Sequence, residues 1–180
     1  MHSKHTPHRD TRFWDRIAAK YARRPVKDQA AYEAKLTLLK SLLNQGDTVL
    51  EVGCGTGTTA LVLAPQVARD IATDISPEMM KIADGKRAAA GAENVTFHVA
   101  ASTDPMPDAP FDAVMAFSLL HLVQDLPATL QALHDQLRPG GLFLSKTTCL
   151  AEANLAIRVM VKLMRLAGYA PHVLFLTQSE

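Results

Sequence analysis

The sequence predicts an α/β fold: a Rossmann-like, doubly wound and mostly parallel open sheet with helices on both faces. Three observations carry that prediction. Short apolar runs alternate with helical stretches over most of the chain. The runs are apolar throughout, as in strands covered on both faces. The first of them opens directly into a glycine-rich turn and then a helix, the strand–turn–helix arrangement at which open α/β sheets bind ligands. The length, 180 residues, gives room for one domain. An apolar fraction of 48% with 21% charged residues suits a packed globular chain and argues against disorder. A formal charge of +1 offers no overall basic field, so no nucleic acid partner is expected. No apolar stretch is long enough for a transmembrane helix, so stable membrane insertion is not expected. The opening residues lack the apolar core of a signal peptide. Cys54 and Cys149 stand in none of the metal or redox spacings, so no metal site and a reducing cytoplasm are expected.

Taken in order, residues 1–12 read as a polar flexible tail, with His2, His5 and His8 repeating every third position. A single domain fills 13–180. Its N-terminal helices occupy 13–44: Phe13, Trp14, Ile17 and Tyr21 share one helical face before Pro25 interrupts. Tyr32, Leu36, Leu39, Leu42 and Leu43 then recur at helical spacing over 28–43, and Asn44-Gln-Gly-Asp47 supplies turn chemistry. The core, 45–148, holds strands at 48–52, 70–73, 95–99, 113–117 and 142–145, with helices at 57–64, 77–90 and 125–137 between most of them. Residues 149–180 read as a helical insert.

The segment Val49-Leu-Glu-Val-Gly-Cys-Gly-Thr-Gly-Thr-Thr-Ala60 carries most of the chemical information. Glycines at 53, 55 and 57 permit positive φ and let backbone approach a ligand closely. The helix start that follows presents free N–H groups. Asp74 closes the next apolar run, about twenty residues on, where a carboxylate accepts from a ribose diol. Ser76 is better placed than Asp74 to cap the helix opened by Pro77, which leaves Asp74 to the ligand. These features specify a nucleoside ligand without naming it. Gly55-Thr-Gly57-Thr-Thr-Ala60 also satisfies the dinucleotide pattern, so an NAD(P)-dependent oxidoreductase competes.

An ordered set of motifs resembles the class I S-adenosylmethionine-dependent methyltransferases. It comprises the acid and glycine loop of Glu51-Val-Gly53-Cys-Gly55-Thr-Gly57, Asp74 with Ile75, Phe111-Asp112 before the fourth strand, and Leu137-Arg-Pro-Gly-Gly141 as a turn into the fifth. The helix with Phe13-Trp-Asp and Tyr21 is similar to the lead-in helices of small-molecule members. The resemblance implies S-adenosyl-L-methionine as cofactor and a small methyl acceptor. It implies that Glu51 and the loop (Gly53, Cys54, Gly55, Gly57) hold the methionine end and that Tyr21 also contacts the cofactor; the residue pattern alone reads Cys54 as a small buried side chain behind the loop. Asp74 would take the ribose, and Ile75 with Met79 would flank the adenine. Ala101, Ser102 and Thr103 would reach the adenine edge, and Ser118 would line the floor near the sulfonium.

Methyl transfer from a sulfonium needs alignment and exclusion of water more than covalent help. A base is needed only where the acceptor loses a proton, and His121, after the fourth strand, is the candidate catalytic residue; its alternative is packing against Leu119 and Leu122. No Asn/Asp-Pro-Pro-Tyr signature follows the fourth strand, which leaves O-, C-, S- or small-amine acceptors. Arg158, Lys162 and Arg165 share a face of a helix expected at 151–167. It reads as a packed helix with a solvated basic face, as a lid over the acceptor pocket or, less favoured than the lid, as a helix resting on a membrane surface. The family's last two strands find no counterpart before Glu180. The fifth strand is therefore expected to be an exposed edge, with a homodimer through it or a marginally stable monomer. A non-catalytic cofactor-binding module is the remaining rival.

Overall fold

In a computed structural model, residues 10–26, 28–149, 160, 163–165 and 170–177 are described. Helix α1 (Thr11–Ala22) begins inside the stretch expected to be tail, and α2 (Gln29–Leu42) starts where the Asp28 carboxylate accepts from the Ala31 N–H at 2.9 Å. Then follow β1 (Thr48–Val52), α3 (Thr58–Leu63) with a 3₁₀ turn (Ala64–Gln66), β2 (Arg69–Asp74) and α4 (Pro77–Ala90). The rest is β3 (Val95–Val99), β4 (Phe111–Phe117), α5 (Leu126–His134) and β5 (Leu137–Lys146). Helix α4 has both its signals: the Ser76 hydroxyl accepts from the Met79 N–H at 3.1 Å, and Gly91 closes it with φ 62°.

All strand pairs are parallel, and the order is β3-β2-β1-β4-β5. The order reverses at β1, between its neighbours β2 and β4, so the crevice for a ligand opens beside the carboxyl end of β1. Apolar side chains are buried on both faces: Leu50, Val52, Ile71, Val114 and Ala116 on one, Val49, Ala113 and Met115 with α2 and α3 residues on the other. The continuous apolar runs of β1, β2 and β4 follow from this double covering.

Strand β5 corrects one expectation. It starts at Leu137 and not at 142, because Leu137 already pairs with Phe111. Ala113 next pairs with Leu142, so Arg138–Gly141 form a bulge within the strand, where Gly140 takes φ 77° and Pro139 needs no ladder bond. The Arg138 guanidinium meets Asp112 at 2.9 Å, and the other Asp112 oxygen accepts from the Thr48 N–H at 2.6 Å. Thus Phe111-Asp112 and Leu137–Gly141 are two halves of one joint at the amino ends of the strands.

The tail histidines, and Arg158 and Lys162 of the expected basic face, lie outside the described residues. Met160 and 163–165 are helical and exposed. The 170–177 segment corrects the expected helical insert: it carries no helix and meets residues that follow β4 and β5. Its Leu174 N–H donates to the His121 carbonyl at 2.6 Å, its His172 N–H to the Asp10 carboxylate at 3.2 Å, and the Cys149 thiol meets its Thr177 carbonyl at 3.6 Å.

Candidate functional site

A cavity of about 260 Å³ lies at the carboxyl ends of β1, β2 and β4. Its floor is the glycine loop after β1. Gly55 takes φ 57°, and a Cβ there would meet only the Tyr21 ring at 3.5 Å, so this backbone faces the cavity with space above it. Gly57 serves another purpose. A Cβ on it would strike the Phe97 ring at 2.5 Å and Ala83 at 3.0 Å, so its absent side chain lets β3 and α4 close behind the loop. Gly57 and Cys54 are not on the cavity wall; Gly53 and Gly55 are. Burial, with the nearby acids second, pushes the Cys54 thiol well up, which keeps it protonated and inert.

Asp74, at the end of β2, faces the cavity and also shapes it. One oxygen accepts from the Gly55 N–H at 3.0 Å and the other from the Ser76 N–H at 2.9 Å. Burial raises its pKa, and those two N–H groups offset the rise only in part. Each oxygen retains a further acceptor site, the requirement for a vicinal diol. Ile75, Met79, Ala101, Ser102 and Thr103 line the wall beyond it.

Helix α1 forms the roof through Trp14 and Tyr21, whose rings meet edge to face at 6.5 Å. The Tyr21 pKa is raised by burial and then by Asp74, so its hydroxyl stays a donor. What seats this roof is Asp15, which sequence reasoning missed. Its carboxylate accepts from the Ser76 hydroxyl at 2.6 Å and from the Glu78 N–H at 3.3 Å, pinning α1 to the start of α4. The only sequence signal was an acid on the apolar side of that helix.

The opposite rim is the stretch after β4. Phe117, Ser118, Leu119 and residues 122–125 line it, with Thr129 of α5. Ser118 takes φ 54°, unusual for a residue with a Cβ, and its N–H donates to the Lys146 carbonyl at 2.7 Å. Of this rim the sequence reading singled out only Ser118. Its position beyond a central strand was the signal that extended to its neighbours.

Glu51 and His121 do not reach the wall. Glu51 is 3% exposed beneath the loop, with Oε2 unpartnered. Burial, then the neighbouring Asp70, pushes its carboxyl up to about 8, while Lys35 opposes the shift. Lys35 lies over the Phe117 ring at 4.3 Å and donates to the Thr59 hydroxyl at 3.2 Å. His121 is half-buried with Nδ1 unpartnered, and burial lowers its pKa.

The charged side chains on the described wall are Asp10, Asp74 and Asp125, all acidic. Among the described residues no group of His, Cys, Asp and Glu suits a metal ion. Acids combined with Trp14, Ile75, Met79, Leu122 and Val123 fit a ligand that is cationic at one end and flat and apolar at the other.

Known proteins with this arrangement bear on what that ligand is. A family described as "Methyltransferase domain" matches residues 49–141, which run from β1 through the bulge of β5. The demethylmenaquinone methyltransferase of Symbiobacterium thermophilum is 36% identical over 104 residues, covering 55% of this chain and 41% of that protein. The ubiquinone biosynthesis O-methyltransferase of Xylella fastidiosa (strain 9a5c) is 38% identical over 103 residues, covering 56% and 42%. The chain therefore spans about two fifths of the length of these curated relatives. Among solved structures, the YcgJ protein of Bacillus subtilis superposes with TM-score 0.69 at 26% identity, covering 82% of this chain and 64% of that one. A DhpI–SAH complex superposes with TM-score 0.64 at 27% identity, covering 77% and 68%. With the glycine loop, the acid after β2 and the β4–β5 joint all inside the matched region, the chain belongs to the class I methyltransferase family that its motifs resemble.

Proposed function

We propose that this chain transfers a methyl group from S-adenosyl-L-methionine to a small-molecule acceptor. The observation that carries the reading is the cavity wall: a positive-φ glycine floor, a two-armed Asp74, an apolar slot, and only acidic charge among its described residues. A sulfonium with an ammonium, a ribose diol and an adenine match the floor, Asp74 and the slot in turn, and the acidic charge suits the cationic end. A dinucleotide carries a pyrophosphate, for which the described wall offers no Lys, Arg or His.

The cofactor supplies an already activated methyl group, so the chain binds, orients and keeps water out. Asp74 accepts from the diol. Ile75 and Met79 flank the base, and Ala101–Thr103 close its edge. Gly53 and Gly55 present backbone to the methionine end, with Tyr21 above and Glu51 supporting the loop from below. Ser118 and Phe117 bound the space in front of the sulfur, where the acceptor enters. Relatives named for demethylmenaquinone and ubiquinone biosynthesis favour an apolar acceptor. Two free thiols favour the cytoplasm. Self-association along β5, whose Leu142 and Phe143 are exposed, belongs to the same proposal.

Calorimetric titration tests the cofactor, and a panel of phenolic, carboxylate and amine acceptors tests the reaction. Binding of S-adenosylhomocysteine with methylation of at least one acceptor is expected. Binding without any turnover would leave a cofactor-binding module, and no binding would overturn the proposal.

A further inference from the structure

Lys86 stands outside the cavity, on the third turn of α4, and no motif includes it. Its ammonium has three N–H groups, and each has an acceptor: the Thr56 carbonyl at 3.1 Å, the Thr56 hydroxyl at 2.8 Å and the Thr58 hydroxyl at 3.1 Å. Thr56 lies between Gly55 and Gly57 and is 5% exposed, so its oxygens have little access to water. One side chain thus satisfies the buried polar atoms of the loop at its midpoint.

The surrounding contacts show what this bonding controls. From the cavity side the loop is held by Asp74, through the Gly55 N–H at 3.0 Å. From behind it is packed by β3 and α4: Phe97 and Ala83 stand where a Gly57 side chain would be, and Lys86, three residues after Ala83, adds the hydrogen bonds. Glycines at positive φ have other basins available at low cost, so the loop's shape depends on these partners. Helix α4 is itself fixed at its start by Ser76 and Asp15 and at its end by Gly91, which makes it a rigid reference for the loop.

We propose that Lys86 is a positioning residue for cofactor binding, holding the glycine loop from behind in the conformation that exposes Gly55 to the ligand. The inference rests on the proposed function for the identity of the ligand, but not for the effect on the loop. Removing the ammonium would strand two buried oxygens of Thr56 and let the loop leave its binding shape.

The test compares wild-type protein with Lys86→Met and Lys86→Arg. Amide hydrogen exchange of unliganded protein over residues 55–59 is measured together with titration by S-adenosylhomocysteine and urea unfolding. Lys86→Met is expected to speed exchange in the loop and weaken binding about tenfold. Lys86→Arg, which keeps charge and donors, is expected to restore part of both. Exchange and affinity unchanged in Lys86→Met would overturn the proposal. So would lowered stability with normal affinity of the folded protein, the signature of a purely structural contact. If wild-type protein binds no S-adenosylhomocysteine, the functional reading fails, and the exchange arm alone still decides whether Lys86 positions the loop.

Discussion

Asp74 does two jobs with one carboxylate, and a single substitution removes both. Its oxygens fix Gly55 and Ser76 from inside the fold and keep acceptor capacity toward the cavity. Asp74→Ala should weaken binding of S-adenosylhomocysteine by about 1.5–3 kcal/mol, the range for a hydrogen bond to a charged group. Calorimetry giving wild-type affinity would remove Asp74 from the ribose role. His121 is the opposite case. It is half-buried, away from the wall, and its carbonyl holds Leu174. His121→Ala should leave kcat nearly unchanged on an identified acceptor, against the ~10²–10⁴-fold loss expected of a general base. A loss of that size with unchanged cofactor affinity would make it the base. At this scale the sequence made Asp74 legible, because an acid ending a second strand has a defined place. It did not separate His121 from its neighbours, because "after the fourth strand" covers residues on the rim and residues beneath it.

At the scale of elements, the loop, α3 and α4 form one packed unit whose glycines are not equivalent. Gly57→Ala drives a Cβ into the Phe97 ring at a backbone φ of 71°. Overpacking there should cost about 1–3 kcal/mol, read as a lower urea midpoint. An unchanged midpoint would mean that Phe97 has room to move. Gly55→Val is strained too, at φ 57°, but meets no packed neighbour besides the Tyr21 ring. It should keep a cooperative urea transition while abolishing cofactor binding, because its side chain enters the space beneath Tyr21. Normal binding by that variant would make the loop structural. Strand β1, helix α4 and strand β3 were legible to the residue, since apolar runs and the Ser76-Pro77 and Gly91 signals mark their ends. The start of β5 was not. Pro-Gly-Gly reads as a turn, and only the pairing of Leu137 with Phe111 across the sheet puts a bulge there.

For the molecule as a whole, the buried acids under the loop set a dependence on pH. Asp70 is fully buried with both oxygens unpartnered, and burial pushes its carboxyl up to about 7; Glu51 beside it goes to about 8. Both bind a proton more tightly folded than unfolded. Their contribution to stability is therefore complete below the ordinary carboxylate range and is lost as pH rises through 7 to 8. The melting temperature should fall from pH 5 to pH 8, and Asp70→Asn should flatten that fall and raise stability at the alkaline end. A steeper fall in that variant would mean that the ionised carboxylate has a partner. Patterning gave the parallel sheet and its ligand end, but Asp70 looked like any polar strand start. Its burial comes from β1 and β3 flanking it on both sides.

The acidic, glycine-floored cavity suits S-adenosylmethionine and not a dinucleotide. Titration of one protein sample with S-adenosylhomocysteine and, separately, with NADH tests it most directly. Saturable one-to-one binding of S-adenosylhomocysteine, lost in Gly55→Val, and no heat from NADH are expected. Binding of NADH with none of S-adenosylhomocysteine would contradict it.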